Sequence, residues 1–401
     1  MRALRTSTLP NQLQSDLIVR GPAGLKGRMD MATGTMRRAD SDPDYVRFGV
    51  DRNRIQLWED GRREHSAPGE FEWWYFEFRL RLGALVVAFM DKMLTDATGP
   101  LLPVVSIRAQ LLLIPFGEEG KFQPQDFQAD ASMCDVTIGT NTCQDTGAGV
   151  YRLEFQGRDV AGTIELRADV PPARIGTGHL LFENGADQQY LGWIVAVPCG
   201  AAAVDCKIGG HHIQETARGY HDHNWGDRPM SSAIHHWYWG RAEVGGFTVI
   251  FANVKAQPDY GSGEMAEVIL IEGQTTIVSG SQGVTFTPST PVPDSTTHKP
   301  FSGALTFTLD TADARFVVSL LSVWALPRTQ QGDAAYHRDV AVCTLTVQRP
   351  GSVVLHGPVR TSYEMMWFGT AGAADAGSVF DRGFTDPAFV PPGLGLTVVP
   401  P

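Results

Sequence analysis

Residues 72–82 read EWWYFEFRLRL, and this stretch decides the fold class. Its even positions after Glu72 are all apolar, while the odd positions include Glu77, Arg79 and Arg81. A period of two residues is the pattern of a β-strand that turns one face toward a core. We therefore expect a strand whose even side chains are buried, with Glu72 at the mouth of that core.

The same alternation recurs every ten to fifteen residues, with Gly, Pro, Asn and Asp between the runs. One example is residues 247–253, where Phe247, Val249, Phe251 and Asn253 fall on one face. Helical periodicity is almost absent, and the 43 glycines and 25 prolines suit many tight turns. The sequence predicts an all-β protein of sandwich or barrel type.

The length of 401 residues exceeds that of most single cores, so we expect two β domains. We place the N-terminal domain at residues 41–212 and the C-terminal domain at residues 213–401. Residues 1–40 carry seven basic and three acidic side chains and no long apolar run, which is typical of a flexible leader.

Composition narrows the function classes. The apolar fraction is 43% and the net charge is −11, with Lys and Arg scattered along the chain, which argues against nucleic-acid binding. The longest uncharged apolar stretch, residues 191–204, is interrupted by Pro198 and Gly200 and is too short to cross a bilayer. We expect a cytoplasmic monomer or homodimer without stable membrane insertion.

The cysteine content also fits a cytoplasmic protein, since five is an odd number and no C-x-x-C spacing occurs. We expect reduced, buried thiols. On spacing, a disulfide could instead join Cys134 to Cys143 or Cys199 to Cys206.

A second informative stretch is RGYHDHNWGDRP, residues 218–229, which is followed by HHWYWGRAEVGGFTVIFANV, residues 235–254. His221 and His223, with Asp227 four residues on, resemble part of a metal site. A third histidine is missing, and the continuation NWGDRP is typical of a turn that would carry Asp227 away. We therefore predict no metal and no other cofactor, and a turn-bracing role for His221 and Asp222.

Together with the upstream FEWWYFEF, these two motifs resemble the superfamily of carotenoid 1,2-hydratases and fungal decalin-forming Diels–Alderases. The resemblance covers most of the chain from about residue 40. It implies two lipocalin-like β domains, each a barrel or sandwich, packed together. In the hydratases a His-x-Trp pair is followed by Tyr-x-Asp, whose Asp donates the proton. His223 and Trp225 match the first pair, but Phe251 and Asn253 stand at the second and supply no acid, which favours the cyclases.

We therefore predict a cofactor-independent cyclase that folds a linear polyene or polyketide of secondary metabolism for a [4+2] cyclisation, in a cavity between the two domains. An amide such as Asn253 can hydrogen-bond the activating carbonyl. An acid on an apolar strand face, as at Glu72, must be paired or lie in a wet cavity. The predicted catalytic residues are Glu72, Asn253 and Tyr238. The predicted substrate-binding residues are Trp74, His223, Trp225, His236, Phe251 and Trp367.

Two alternatives stay open at this point. The first is a hydratase of an isoprenoid or carotenoid alkene, and the second is a non-catalytic lipid or isoprenoid binder. Core packing alone is also an adequate role for Trp74 and Trp367. Convergence of Glu72, Asn253 and Tyr238 on one point would count against the binder.

Overall fold

The computed structural model describes residues 34–93, 96–112, 114–331 and 334–369. Regular structure in these ranges is mainly antiparallel β-sheet, which confirms the all-β prediction. Helices among the described residues are short: α1 (Asp42–Phe48), α2 (Met230–Ala233), and 3-10 turns at Leu57–Asp60, Pro124–Asp126 and Pro258–Tyr260. None of these described helices has the length and apolar character needed to span a membrane.

The first sheet is built from the N-terminal half of the chain. Its strands are β1 (Thr35–Arg38), β2 (Phe71–Leu80), β3 (Gly83–Met90), β4 (Val104–Leu111), β5 (Ile114–Lys121), β6 (Phe127–Ala129), β7 (Asp135–Ile138), β8 (Asn141–Asp145), β9 (Val150–Gln156), β10 (Val160–Ala168), β11 (His179–Asn184), β12 (Asp187–Ile208) and β13 (His211–Gly226). They are ordered β5-β4-β3-β2-β13-β12-β10-β9-β8-β7-β6, with β11 pairing with both β12 and β1. Strands β2, β13 and β12 therefore lie in the middle of the sheet.

The second sheet follows in the chain. Its strands are β14 (Ile234–Val244), β15 (Phe247–Ala256), β16 (Glu264–Glu272), β17 (Thr275–Gly280), β18 (Val284–Pro288), β21 (Ala304–Asp310), β22 (Arg315–Ala325), β23 (Thr329–Gln331), β24 (Ala334–Arg349) and β25 (Ser352–Trp367). The order is β17-β16-β15-β14-β25-β24-β22-β21-β18, with β23 on β24. Strands β19 (Val292–Pro293) and β20 (Pro300–Phe301) form a separate small pair.

Each sheet encloses a core with its inner face, because side chains alternate across the strands. In β2 the even side chains Trp74, Phe76 and Phe78 are completely buried in the first core, as the sequence predicts. In β15 the odd side chains Val249 and Phe251 are completely buried in the second core. The alternation seen in the sequence thus identifies the inner face of both sheets.

The two sheets also pack against each other through their outer faces. One buried cluster unites side chains of both sheets, among them Phe71, Trp73, Met90, Ile234, Val254 and Met366. A second such cluster includes Val195, Tyr220, Ile250 and Ile269. Both faces of the central strands are therefore covered, one by a core and the other by the opposite sheet.

The change of sheet occurs later than the predicted boundary between residues 212 and 213. Strand β13 pairs with β2 as far as Gly226, which lies opposite Phe71. Residues 224–226 of the predicted turn at 224–229 thus continue a central strand, because residues 218–226 are hydrogen-bonded to neighbours on both sides. The turn-bracing role predicted for His221 and Asp222 is wrong for the same reason.

The end of the predicted leader is folded. Strand β1 pairs with β11, and Nε of Arg38 donates to Oε1 of Glu267 in the second sheet at 2.6 Å. Burial of both side chains makes this an internal ion pair. Residues 35–40 therefore belong to the folded part of the chain, and residues 1–33 lie outside the described residues.

Candidate active site

Successive side chains of the histidine motif point to opposite faces of strand β13. His221 stacks on Phe76 with ring centroids 3.9 Å apart, and His223 stacks on Trp74 at 4.6 Å, so both histidines face the first core. Asp222, between them, lines a recess on the side of the second sheet. Neighbouring residues of one motif thus serve two different environments.

Glu72 is completely buried at the edge of the first core. Its carboxylate accepts hydrogen bonds from the backbone N–H groups of Arg63 at 2.6 Å and Glu64 at 3.1 Å. It also lies 2.8 Å from Nε2 of His223. Of the two situations that the sequence left open for this acid, pairing or a wet cavity, the structure shows pairing.

Trp225 lies on the same side of β13 as the two histidines. Its ring is 4.9 Å from that of His223 and 5.3 Å from that of His179. It covers Gly192 so closely that a Cβ atom there would lie 2.1 Å from the indole. Glycine at that position is what allows Trp225 to pack.

The other predicted site residues lie on the inner face of the second sheet. Tyr238 and Asn253 stand opposite each other in the register of β14 and β15. The Tyr238 hydroxyl accepts a hydrogen bond from the N–H of Ser302 at 3.1 Å. The Asn253 amide nitrogen has no hydrogen-bond partner among the described residues. Phe251 belongs to the same core.

His236 and Trp367 complete this second group. Their rings are stacked, with centroids 5.2 Å apart and planes 2° from parallel. The structure thus brings Glu72, Trp74, His223 and Trp225 together on one inner face and the remaining five predicted residues on the other. The three predicted catalytic residues do not converge, because two sheets that touch through their outer faces separate the two cores.

A cavity of about 850 Å³ lies between the outer faces of the two sheets. Cavities of roughly 300 to 1,000 Å³ are usual for small-molecule sites. The first sheet contributes wall residues that include Trp73, Tyr75, Glu77, Ala84, Ala88 and Met90. The second contributes wall residues that include Trp237, Arg241, Tyr336, Arg338, Glu364 and Met366. The cavity lies between the two halves, as expected, but none of the predicted site residues is in its wall.

A hydrogen-bonded group of side chains crosses this cavity from sheet to sheet. Arg338 donates from Nη1 to the Tyr75 hydroxyl and from Nη2 to Oε2 of Glu77, both at 2.9 Å. The Tyr75 hydroxyl donates to the same Glu77 oxygen at 3.1 Å. Burial acts to raise the pKa of Glu77, but Arg338 and Arg241 outweigh it and hold that pKa below its ordinary value. Glu77 is therefore a fixed anion between cations.

Glu364 behaves in the opposite way. Its Oε2 accepts a hydrogen bond from the Tyr336 hydroxyl at 2.5 Å and lies 3.7 Å from Nη1 of Arg338. Burial raises the pKa of Glu364, against the opposing effect of Arg338. Its side chain borders both the cavity and the recess next to it. This carboxyl group keeps its proton to higher pH than an exposed glutamate does.

The recess shares the wall residues Trp73, Tyr75, Trp237 and Glu364 with the cavity and has a volume of about 90 Å³. Asp222 is held in its wall by Nε1 of Trp193 at 3.0 Å, the Tyr220 hydroxyl at 2.8 Å and Nδ2 of Asn224 at 3.0 Å. Burial raises the pKa of Asp222 to about 7. Aromatic faces, which stabilise positive charge, make up much of the remaining wall: Trp73, Tyr75, Trp193, Trp237 and Trp239.

The residues that could hold a metal lie in the first core and not in the cavity. Asp227 does not join the two histidines, because its Oδ1 accepts the backbone N–H of Tyr190 at 2.9 Å. Instead, donor atoms of Asp60, Cys134 and His221 lie within 4.8 Å of one another. All five cysteines are free and buried, as the sequence predicts.

Comparison with known proteins places this geometry in a family context. Residues 157–289 match the family model of the carotenoid hydratase CrtC. The quinolone epoxide rearrangement protein asqO of Emericella nidulans is 30% identical over 218 residues, which are 47% of this chain and 55% of asqO. The quinolone epoxide rearrangement protein penF of Penicillium thymicola is 27% identical over 120 residues, which are 27% of this chain and 32% of penF. The matched stretches thus span about half of asqO and a third of penF.

Among solved structures, CghA with bound Sch210972 has the same fold, with a TM-score of 0.56 at 13% identity. The alignment covers 80% of this chain and 97% of CghA. Over residues 157–289 the chain is similar to the carotenoid hydratases, and its lipocalin-like fold is the one that CghA also has. The family resemblance and the lipocalin-like fold predicted from the motifs are confirmed.

The motif strands do border the cavity, but through the faces that the sequence analysis did not select. The choice of Glu72 and Trp74 followed the apolar side of β2, whereas Tyr75 and Glu77 reach the cavity. A signal was present: the odd positions of β2 begin with Trp73 and Tyr75, which is unusual for a face exposed to water. Aromatic side chains on both faces indicate a strand that is covered on both.

Proposed function

We propose that this protein is an enzyme of secondary metabolism that isomerises an apolar substrate, by cyclisation or rearrangement, in the cavity between the sheets. One observation carries the proposal: the carboxyl group of Glu364 lines both the aromatic recess and the cavity of about 850 Å³. The names of asqO and penF, both rearrangement proteins, support a reaction of this broad kind.

The cavity suits a flexible and largely apolar molecule. Trp73, Trp237, Met90 and Met366 provide apolar wall area, while Ala84 leaves space. Holding a linear chain in a reactive conformation against such walls removes rotational freedom before the chemical step, and this can contribute several kcal/mol to the rate.

The polar side chains would act on an oxygen atom of the substrate. Protonated Glu364 can donate to a carbonyl or epoxide oxygen, and nearby Arg338 and the Tyr75 hydroxyl can stabilise charge that grows there. Proton transfer and hydrogen bonding are the only chemistry that this scheme asks of the protein. We therefore propose a cofactor-independent reaction.

For a linear polyene or polyketide, the specific step that we propose is a [4+2] cyclisation, as the Diels–Alderase resemblance implies. Hydrogen bonding to the carbonyl of the dienophile lowers the barrier of such a step. In this scheme Glu364 and Tyr75 replace the predicted Asn253 and Tyr238, since only the former pair lines the cavity. Glu72 contributes through the packing of the first core.

A hydratase is the second candidate, and one observation favours it directly. The sequence argument against hydration was that Asn253 offers no acid, but Asn253 points into the second core, and its neighbour Ala252 faces the recess. Glu364 and Asp222 supply carboxyl groups beside aromatic faces, which is what protonation of an alkene requires. The match to the carotenoid hydratase model agrees with this candidate.

The mass of the product distinguishes these reactions. The purified protein is incubated with linear polyenes, quinolone epoxides and isoprenoid alkenes, and products are followed by mass spectrometry. We expect a product isomeric with its substrate. A product heavier by one water would establish the hydratase, and saturable binding without any product would overturn the enzyme proposal.

A further inference from the structure

A cluster of metal-binding side chains lies inside the first core, away from the cavity. Asp60 ends the 3-10 turn Leu57–Asp60, Cys134 precedes β7, Cys143 lies in β8, and His221 lies in β13. These four residues are each no more than 5% exposed. Four buried side chains of ligand type, from three distant parts of the chain, therefore lie in or against the first core.

The distances fit a tetrahedral site. One donor atom each from Asp60, Cys134 and His221 lies within 4.8 Å of the other two. The sulfur of Cys143 is 4.0 Å from that of Cys134. Two thiolates on one tetrahedral zinc, with Zn–S bonds of about 2.3 Å, stand about 3.8 Å apart. The spacing of Cys143 from Cys134 is thus close to that of two thiolate ligands on one zinc ion.

The hydrogen bonds of His221 point to the same conclusion. Its Nδ1 lies 3.0 Å from the backbone oxygen of Tyr75, an acceptor, so this nitrogen carries a hydrogen. The other nitrogen, Nε2, then directs a lone pair toward the Asp60 carboxylate 3.1 Å away, unless a proton or a cation lies between them. A ring fixed by Nδ1 donation to a backbone carbonyl is the usual arrangement of a metal-binding histidine.

Asp60 has capacity left for a cation. Its Oδ2 accepts from the Tyr151 hydroxyl at 2.8 Å, but its Oδ1 has no hydrogen-bond partner among the described residues. The nearest charged contact of Oδ1 is Nδ1 of His223 at 3.7 Å. A buried carboxylate oxygen without a donor is costly, and coordination would remove that cost.

We propose that Asp60, Cys134, Cys143 and His221 bind one Zn²⁺ ion as a closed structural site. Two thiolates, an imidazole and a carboxylate form a ligand set that suits zinc, and four protein ligands leave no open position for a substrate. The metal would tie the 3-10 turn and the β7–β8 hairpin to the central strand β13. Its role would be to fix the strand whose other side forms part of the recess.

Because the site is buried, the metal is best introduced during folding. Full-length protein is unfolded in denaturant with a thiol reductant and a chelator, and is then refolded with Zn²⁺ or with Co²⁺ as a spectroscopic substitute. We expect one metal ion per chain, a thiolate-to-cobalt charge-transfer band, and a higher thermal midpoint after refolding with Zn²⁺.

Variants assign the ligands. Cys134→Ser and Cys143→Ser should each weaken the charge-transfer band and abolish the zinc-dependent rise in thermal midpoint. Cys343→Ser, a matched control at a buried thiol of the second core, should leave both unchanged. Equal binding by Cys134→Ser and the unsubstituted protein would assign the metal elsewhere and overturn the proposal.

The unsubstituted protein also tests the proposal by itself. A native circular dichroism spectrum after refolding, with neither bound metal nor a cobalt–thiolate band, would show that the cluster is a histidine–carboxylate pair beside two free thiols. A disulfide between Cys134 and Cys143 in metal-free protein purified without reductant would overturn the zinc site equally.

Discussion

Arg338 and Glu77 join the two sheets across the cavity, with Nη2 of Arg338 donating to Oε2 of Glu77 at 2.9 Å. Arg338 lies in β24 of the second sheet and Glu77 in β2 of the first. Their side chains are 13% and 9% exposed, so water screens the pair only weakly. The contact that closes the cavity at this point is therefore also a contact between the two halves of the fold.

Breaking this pair should destabilise the protein. We expect Glu77→Gln or Arg338→Gln to lower the free energy of unfolding by about 3 kcal/mol, because either leaves a buried charge with only a longer contact, at 3.9 Å between Glu77 and Arg241 or at 3.7 Å between Arg338 and Glu364. The double variant should lose less than the sum of the two single losses, as measured by denaturant titration. Arg349→Gln, in the half-exposed pair with Glu272, is the control and should cost no more than about 1 kcal/mol. Equal losses at the two pairs would contradict this prediction.

Glu364→Gln tests the acid of the proposed mechanism. The amide keeps the shape of the side chain and an acceptor for the Tyr336 hydroxyl but cannot transfer a proton, so kcat should fall about 10²- to 10⁴-fold. The unsubstituted enzyme should also lose activity as the pH rises through the elevated pKa of Glu364, and the residual activity of the variant should lack this limb. Glu272→Gln, at a half-exposed glutamate, is the control and should leave kcat unchanged. A variant with full activity would remove Glu364 from the mechanism.

Glu364→Gln should also change how the stability of the protein depends on pH. The raised pKa means that folded Glu364 holds its proton more tightly than the unfolded chain, whose glutamates titrate near about 4.3. The folded state therefore binds more protons than the unfolded state above that pH. The stability that this group contributes is lost as the pH rises through the pKa of Glu364 in the folded state. The thermal midpoint of the unsubstituted protein should fall relative to that of Glu364→Gln as the pH rises above the unfolded-state value of about 4.3. Arg338, Glu77 and Tyr336 face Glu364 in both proteins, so the difference isolates one group. A constant difference would show that Glu364 has an ordinary pKa.

Asn253→Ala distinguishes the catalytic site predicted from the sequence from the site that we propose in the cavity. The sequence argument expects a ten- to a thousand-fold loss, typical of one hydrogen bond to developing charge. The structure places Asn253 in the second core with an unpartnered amide nitrogen, so we expect activity per folded molecule to be unchanged. Steady-state kinetics on protein checked by circular dichroism will decide. A large loss here, with Glu364→Gln fully active, would restore the sequence-based site.

Periodicity was enough to predict the all-β class and the inner faces of the sheets. Trp74, Phe76 and Phe78 alternate with polar or aromatic residues, and burial follows that alternation directly. The end of β13 was harder to predict, because Asn224 and Gly226 are residues typical of turns. Pairing with β12 and β2 overrides that local preference, and although β12 is the preceding strand, the partners in β2 lie more than 100 positions away.

The cavity could not be predicted from one strand at a time. Tyr75 and Arg338 are 263 positions apart and meet only because the outer faces of two sheets pack together. Trp73 and Tyr75 indicate that this face of β2 is covered, but nothing within β2 identifies Arg338 as a residue that meets it. The inner face of the first sheet looked functional because it holds titratable side chains, which are uncommon in a core. Two of them, Glu72 and His223, are hydrogen-bonded to each other in the structure.

Strand β3 shows how such a scaffold can diversify. Ala84 and Ala88 face the cavity, while Leu85, Val87 and Phe89 of the same strand are buried in the first core. Replacement of a wall alanine by a larger residue reshapes the cavity without disturbing the packing that holds the strand. The size of the side chain at these two positions can therefore vary independently of the residues that bury the strand in its core. Wall residues such as Glu77 and Arg338 do not have this freedom, because they also join the two sheets.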